Sequence, residues 1–258
     1  MKKLYNNCIV AFSMYSKIPM PMADWNKENM KYALCFFPWI GLVIGALEFG
    51  CWKLAMLLGF GTIFRSALMV LIPIIVTGGI HMDGLLDTAD ALSSWRERER
   101  RLEILKDSHA GAFAVIIGLA YMTACIAGAS EVTAETVPVL CFAFAIARAL
   151  SALSVTNFPN ANPKGTAATF GNNSYKKRVN TVMVVYLILF CGAAIVLNPI
   201  YGIVMTATAF IVWGYYYRMA MKYFGGITGD LAGFYTSVSE LSMVLTVVIA
   251  SRIVEVIA

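Results

Sequence analysis

Residues 180–197 read N-T-V-M-V-V-Y-L-I-L-F-C-G-A-A-I-V-L, eighteen positions without one charged side chain. A helix of about 20 apolar residues crosses the roughly 30 Å hydrocarbon core of a bilayer. Six further segments share this character, at about 35–58, 62–80, 111–130, 137–156, 200–220 and 236–257. The whole chain agrees with them. Of its 258 residues 59% are hydrophobic and 14% charged, whereas a soluble domain carries roughly 25% charge. Mean hydropathy is +0.72. A soluble enzyme, a disordered chain and a disulfide-stapled secreted domain are excluded. The sequence predicts an all-α polytopic membrane protein of about seven transmembrane helices plus interfacial segments, folded as one domain over residues 1–258.

The stretch 4–22 is broken by Pro19 and Pro21 and reads as interfacial or re-entrant. Asn6 and Asn7 interrupt any signal-peptide core, so no cleaved leader is expected. The six cysteines form no C-x-x-C pair and read as packing residues. Net charge is +5, and no basic stripe interleaved with aromatics suggests nucleic acid. Sixteen of the 20 basic residues fall on one side of a seven-span arrangement. That asymmetry predicts a cytoplasmic N-terminus and an external C-terminus.

The chemistry gathers in three clusters on the basic side. The first is Gly78 to Leu92, G-G-I-H-M-D-G-L-L-D-T-A-D-A-L. Asp83, Asp87 and Asp90 are spaced so that a helix brings them within about 60° of one another. Three carboxylates this close repel unless a cation or protons neutralise them, and an all-oxygen set suits Mg²⁺. A solvated acidic face is the bland alternative, but one seldom begins at the end of a membrane span behind a glycine pair. His81 points away from the aspartates if the helix includes it. It serves either a phosphate or a structural role.

The second cluster is K-D-S-H-A-G-A-F, Lys106 to Phe113. Lys106, Ser108 and His109 are donors suited to phosphate, and Asp107 is a further candidate metal ligand. Arg148 lies within the fourth span, where a charge needs a polar cavity or a partner. It either clamps a phosphate or neutralises an acid. Asn157 and Lys164 follow as candidate contacts to a polar ligand.

The third cluster is F-G-G-I-T-G-D-L-A-G-F, Phe224 to Phe234. Gly226 and Thr228 are candidate substrate contacts and Asp230 a candidate metal ligand. Glu240 enters the last span and is either functional or paired with Arg148. A Mg²⁺-binding carboxylate site flanked by Lys, Arg and His at a membrane surface suits displacement at a diphosphate. No Walker motif, Ser-His-Asp spacing or H-E-x-x-H is present.

These motifs, with A-R-A-L-S at 147–151 and F-F-P-W-I-G-L-V-I-G at 36–45, resemble the cobalamin synthase (adenosylcobinamide-GDP ribazoletransferase) family in order and spacing. The resemblance covers nearly the whole chain. It implies a Mg²⁺-dependent enzyme of a prokaryotic cytoplasmic membrane, surrounded by lipid, that joins adenosylcobinamide-GDP to α-ribazole or its 5′-phosphate and releases GMP. It also implies that Asp83, Asp87 and Asp90 hold metal or activate the hydroxyl, and that Lys106, Arg148 and Asp230 complete the site. Lys17, His109 and Asn162 stand where that family frequently carries arginine, which means weaker bidentate phosphate contacts there.

Two other readings fit the sequence less well. A CDP-alcohol phosphotransferase also carries surface aspartates, but its D-G-x-x-A-R continuation is replaced here by D-G-L-L-D-T. A transporter would show paired repeats and acids at mid-membrane, and neither pattern is present.

Overall fold

The protein is described from a computed structural model covering residues 2–107 and 109–257. Thirteen helices account for most of the chain. They are α1 (Lys2–Tyr15), α2 (Lys27–Met30), α3 (Phe37–Leu57), α4 (Thr62–Thr77), α5 (Ile80–Ser93), α6 (Arg98–Ile104) and α7 (Ala112–Ser130). Then follow α8 (Val137–Leu140), α9 (Ala143–Asn157), α10 (Thr166–Asn173), α11 (Lys176–Leu197), α12 (Pro199–Phe224) and α13 (Gly229–Ile257). A 3₁₀ turn, Ala33–Phe36, leads into α3. Among the described residues there is no strand, and one isolated bridge joins Asn160 to Ile227.

The expected architecture, an all-α polytopic membrane protein, is what forms. Five helical stretches are long and apolar enough to cross a membrane: Lys27–Leu57, Ala112–Ser130, Val137–Asn157, Lys176–Leu197 and Pro199–Phe224. A sixth is reached if α4 and α5 together make one bent span. The expected count of seven is not reproduced. Residues 236–257 lie in α13, a 29-residue helix that also carries Asp230, Glu240, Arg252 and Glu255.

The other departure is at 62–80. The helix stops at Thr77, and α5 leaves at 94° to α4. Gly78 and Gly79 both adopt the left-handed region, with φ of 65° and 80°, which only glycine enters without strain. Their N–H groups close the end of α4 on Ile75 and Ile74 carbonyls. Residues 81 onward were expected to be a surface connection. Instead Gly111 of the α7 entry meets Asp90, and Gly118 meets Leu86 and Met82. That order means α5 runs antiparallel along the first turns of a membrane helix. The acidic helix is thus one leg of a broken span or re-entrant hairpin.

At the centre stands α9, whose residues from Ala143 to Ala152 are nearly all fully buried, several of them alanines. Small side chains let neighbours approach its backbone, the usual route to tight packing in lipid. Gly41 and Gly45 of α3 carry this furthest, since a Cβ on either would overlap the carbonyls of Phe144 and Cys141. Outward faces of α7, α11 and α12 expose Leu119, Ile188 and Ile211. The N-terminal segment is not loose either. Asn7 is fully buried, and its side chain accepts a hydrogen bond from the Tyr32 N–H at 2.6 Å while donating to the Lys3 and Glu28 carbonyls.

Overpacking at such a contact costs about 1–3 kcal/mol. Gly45→Val should therefore lower the melting temperature in detergent and the yield of inserted protein. Gly50→Ala, on the same helix with open space around it, should leave both unchanged. Equal behaviour of the two variants would show that this approach of α3 to α9 is not what holds them.

Candidate active site

Helix α5 places Asp83, Asp87 and Asp90 along one face, as their spacing requires. Asp83 is exposed, and the other two are half-buried. A fourth carboxylate joins them from α13. Gly84 makes this possible, because a Cβ there would lie 2.5 Å from the carbonyl oxygen of Asp230. Gly233 meets His81 and Gly84 in the same seam. Asp87 consequently feels the like charges of Asp83, Asp230 and Asp90 together. No Lys or Arg pairs with any of the four among the described residues.

Asp90 has a second duty. Its two carboxylate oxygens accept the N–H groups of Gly111 at 2.5 Å and Ala114 at 2.8 Å. It therefore caps the first turn of α7 from another helix, satisfying orphan donors and opposing the helix dipole. The remaining three acids, Asp83, Asp87 and Asp230, are the ones with oxygen atoms to spare. Among the described residues no three His, Cys, Asp or Glu side chains are already set to hold an ion by themselves. This donor set fits Mg²⁺ held by a few carboxylates and completed by substrate phosphates, its common mode of binding.

The loop at 158–165 is fastened beneath the start of α13. Ile227 donates to the Pro159 carbonyl at 2.8 Å and accepts from Ala161 N–H at 2.9 Å. Gly226 allows this, since a Cβ would lie 2.6 Å from Ala161 N. Thr228 accepts the Leu231 N–H at 3.2 Å and donates to Asp230 Oδ2 at 3.3 Å, orienting that carboxylate. Burial pushes the Asp230 carboxyl above the usual carboxylate range, and the Asp83 charge adds to this.

Several expected contacts go elsewhere. Arg148 is wholly buried and pairs with Glu240 at 2.5 Å, also donating to the Phe144 carbonyl at 2.9 Å. The two spend their charges on each other and do not join the acidic face. His81 lies inside α5 on the side away from the aspartates and is buried beside Phe37. Asn157 exchanges hydrogen bonds with Asn180, tying α9 to α11. Asp107 bonds the ring and the N–H of His109 in the exposed loop before α7, which holds its carboxyl below the usual range. Lys106 and Lys164 are exposed. Ser108 lies outside the described residues.

Two further cations lie at helix breaks, Lys17, which the family resemblance pointed to, and Arg98, which the sequence did not single out. Lys17 lies across Gly78 at the start of α5, and its N–H bonds the Val76 carbonyl at 2.7 Å. Arg98 lies across Gly225 at the approach to α13. Gly225 has φ of 68°, like the left-handed Gly78. Both cations therefore lie against glycines at helix breaks. The only signal for Arg98 was its place in a run of mixed charges, W-R-E-R-E-R-R at 95–101.

The matches to known proteins run along the whole chain. The model of the cobalamin-5-phosphate synthase family matches residues 7–248. The chain belongs to that family. Membership makes this integral membrane protein a transferase of cobalamin synthesis, which sets aside the CDP-alcohol and transporter readings. An adenosylcobinamide-GDP ribazoletransferase of Lachnoclostridium phytofermentans is 43% identical, covering 98% of this chain and 97% of its own. Its namesake in Clostridium botulinum strain Alaska E43 is 33% identical over 93% of this chain and 96% of its own. No solved structure matches.

Two outcomes follow for this cobalamin-5-phosphate synthase family member. Asp90→Ala should lose about 1 kcal/mol of stability through the α7 cap, read as a lower melting temperature whether or not a divalent cation is present. A carboxyl with a raised folded-state pKa holds its proton more tightly folded than unfolded, so stability falls as pH rises from about 4 through the raised value. Without divalent cation the melting temperature should fall over that range. Asp230→Asn should flatten the slope and Mg²⁺ should restore the loss. A flat wild-type profile would remove Asp230 from this account.

Proposed function

We propose that the protein joins adenosylcobinamide-GDP to α-ribazole, or to its 5′-phosphate, and releases GMP. The observation that carries this is the approach of Asp230 to the Asp83 and Asp87 face of α5 across Gly84, with no Lys or Arg paired to any of the three among the described residues. In this reading Mg²⁺ would be held by carboxylates drawn from Asp83, Asp87 and Asp230 and completed by substrate phosphates, with Asp90 behind them as a structural support. Bound there, Mg²⁺ would neutralise the diphosphate and stabilise the departing nucleotide.

The chain's own residues supply the rest. Lys17, Arg98 and Lys106 bind phosphate oxygens and hold the diphosphate against the acidic face. A carboxylate of that face accepts the proton of the attacking ribose hydroxyl. That oxygen bonds to the phosphorus attached to the cobinamide side chain, the diphosphate P–O bond breaks, and GMP leaves with the electron pair. The active face lies on the cytoplasmic side of a prokaryotic cytoplasmic membrane. Support comes from the sixteen basic residues gathered on one side of the expected topology.

Purified protein with adenosylcobinamide-GDP, α-ribazole and Mg²⁺ should yield GMP and cobalamin in equal amounts, followed by chromatography, and chelator should stop both. Asp83→Asn should abolish turnover, a loss of at least about 100-fold, with the melting temperature close to wild type. Full activity of Asp83→Asn at ordinary Mg²⁺ would refute the metal assignment, and no product from folded wild type would refute the reaction.

A further inference from the structure

Arg65 carries a charge that the protein does not meet. It lies one turn into α4 and is 9% exposed. Its Nη1 donates to the Met56 thioether at 2.9 Å, on the last turn of α3, and its Nε has no hydrogen-bond partner. No Asp or Glu pairs with it among the described residues, whereas Glu240 answers Arg148, and Glu131 and Glu255 answer Arg252. Sulfur is a weak acceptor, and a buried guanidinium without an anion is costly in a membrane protein. The start of α4 adds to the demand. Its N-cap is Gly61, with no side chain to offer, so the first N–H groups of the helix are left to find an acceptor outside it.

Along the same face, a groove of about 370 Å³ runs between α3 and α4. Leu47, Gly50 and Cys51 line one side, and Ile72, Ile75 and Val76 the other. It opens outward, where Leu47 and Ile75 are exposed, and it has more than twice the roughly 150 Å³ that holds a benzene ring. At 100° per residue Arg65, Ile72 and Val76 fall within about 40° of one another, with Ile72 about 10 Å further along the axis. Leu54, seven residues after Leu47 and exposed, continues the α3 side toward the same end. Arg65 thus stands over the groove, roughly 20 Å from the break at Gly78–Gly79. Beside it the exposed rings of Phe60 and Phe64 meet edge to face at 4.7 Å, as suits aromatics at a membrane–water boundary.

The two parts fit one molecule. An unmet guanidinium next to free helix N–H groups takes a phosphate. A lipid-facing groove of apolar side chains takes hydrocarbon. A free phosphate would leave the groove unused, and an uncharged lipid would leave the arginine unpaired. We propose that Arg65 and the α3–α4 groove bind one anionic phospholipid, its phosphate on the guanidinium and one acyl chain in the groove. The site lies at the end of α4 remote from the acidic face and is separate from the chemistry there.

Native mass spectrometry of the delipidated full chain in detergent tests this, with dioleoyl phosphatidylglycerol as the probe. One tightly held lipid is expected. Diacylglycerol with the same chains should bind at least about tenfold more weakly, for want of a charge-assisted hydrogen bond. Arg65→Gln should weaken phosphatidylglycerol binding by a similar factor. Gly50→Leu, which fills the groove at a position with open space around it, should weaken it without touching the charge, and serves alone if the first variant does not fold. Phosphatidylglycerol should raise the melting temperature of wild type and not that of either variant. Equal lipid retention by wild type and Gly50→Leu, or equal binding of the two lipids, would overturn the site. So would variants that change the dimer content and not the bound lipid, which would make the groove a contact between copies of the chain.

Discussion

Charge is expensive in a chain this apolar, and the structure treats its buried charges in two opposite ways. Deep in the bundle Arg148 and Glu240 meet at 2.5 Å, with the Phe144 carbonyl accepting a further hydrogen bond. Buried ions persist when they are paired and hydrogen-bonded, and leaving either alone costs several kcal/mol. That pair joins α9, the central helix, to α13. The acids of α5 and the head of α13 have no such relief. Their mutual repulsion is held in place by the surrounding packing.

The packing that enforces this repulsion is a matter of missing side chains. Gly84 lets the backbone of Asp230 approach α5, and Gly118 lets α7 lie along it. Gly226 seats the start of α13 on the 158–165 loop. In lipid there is little hydrophobic force between helices, so close contact of this kind carries much of the association. The same glycines thus stabilise the bundle and concentrate negative charge. The irregular backbone at Gly78–Gly79 keeps its own hydrogen bonds, to the Ile75 and Ile74 carbonyls.

Two cations sit at the helix breaks that lead into these elements. Lys17 and Arg98 lie across left-handed glycines at the approaches to α5 and α13. In the proposed reaction they would meet phosphate oxygens while the carboxylates stay open to metal. Lysine binds phosphate as a point charge and arginine as a fork. In that reaction Lys17 would hold its phosphate with less directional control than an arginine.

Local chemistry was legible in the sequence, and long-range partnership was not. Runs such as 180–197 declare a membrane helix because about 20 apolar residues have no other stable setting. The four- and three-residue spacings of Asp83, Asp87 and Asp90 place them on one helix face wherever that helix sits. Family motifs are likewise local strings. Tertiary structure alone decided that Arg148 meets Glu240, 92 positions away, and that Asp90 caps α7. It alone brought Asp230 to the α5 face and turned α5 along a membrane helix, where the sequence had suggested a surface connection. The reason is physical. Periodicity is written within one element, whereas ion pairing, remote capping and backbone contact at a glycine depend on which elements the finished bundle brings together.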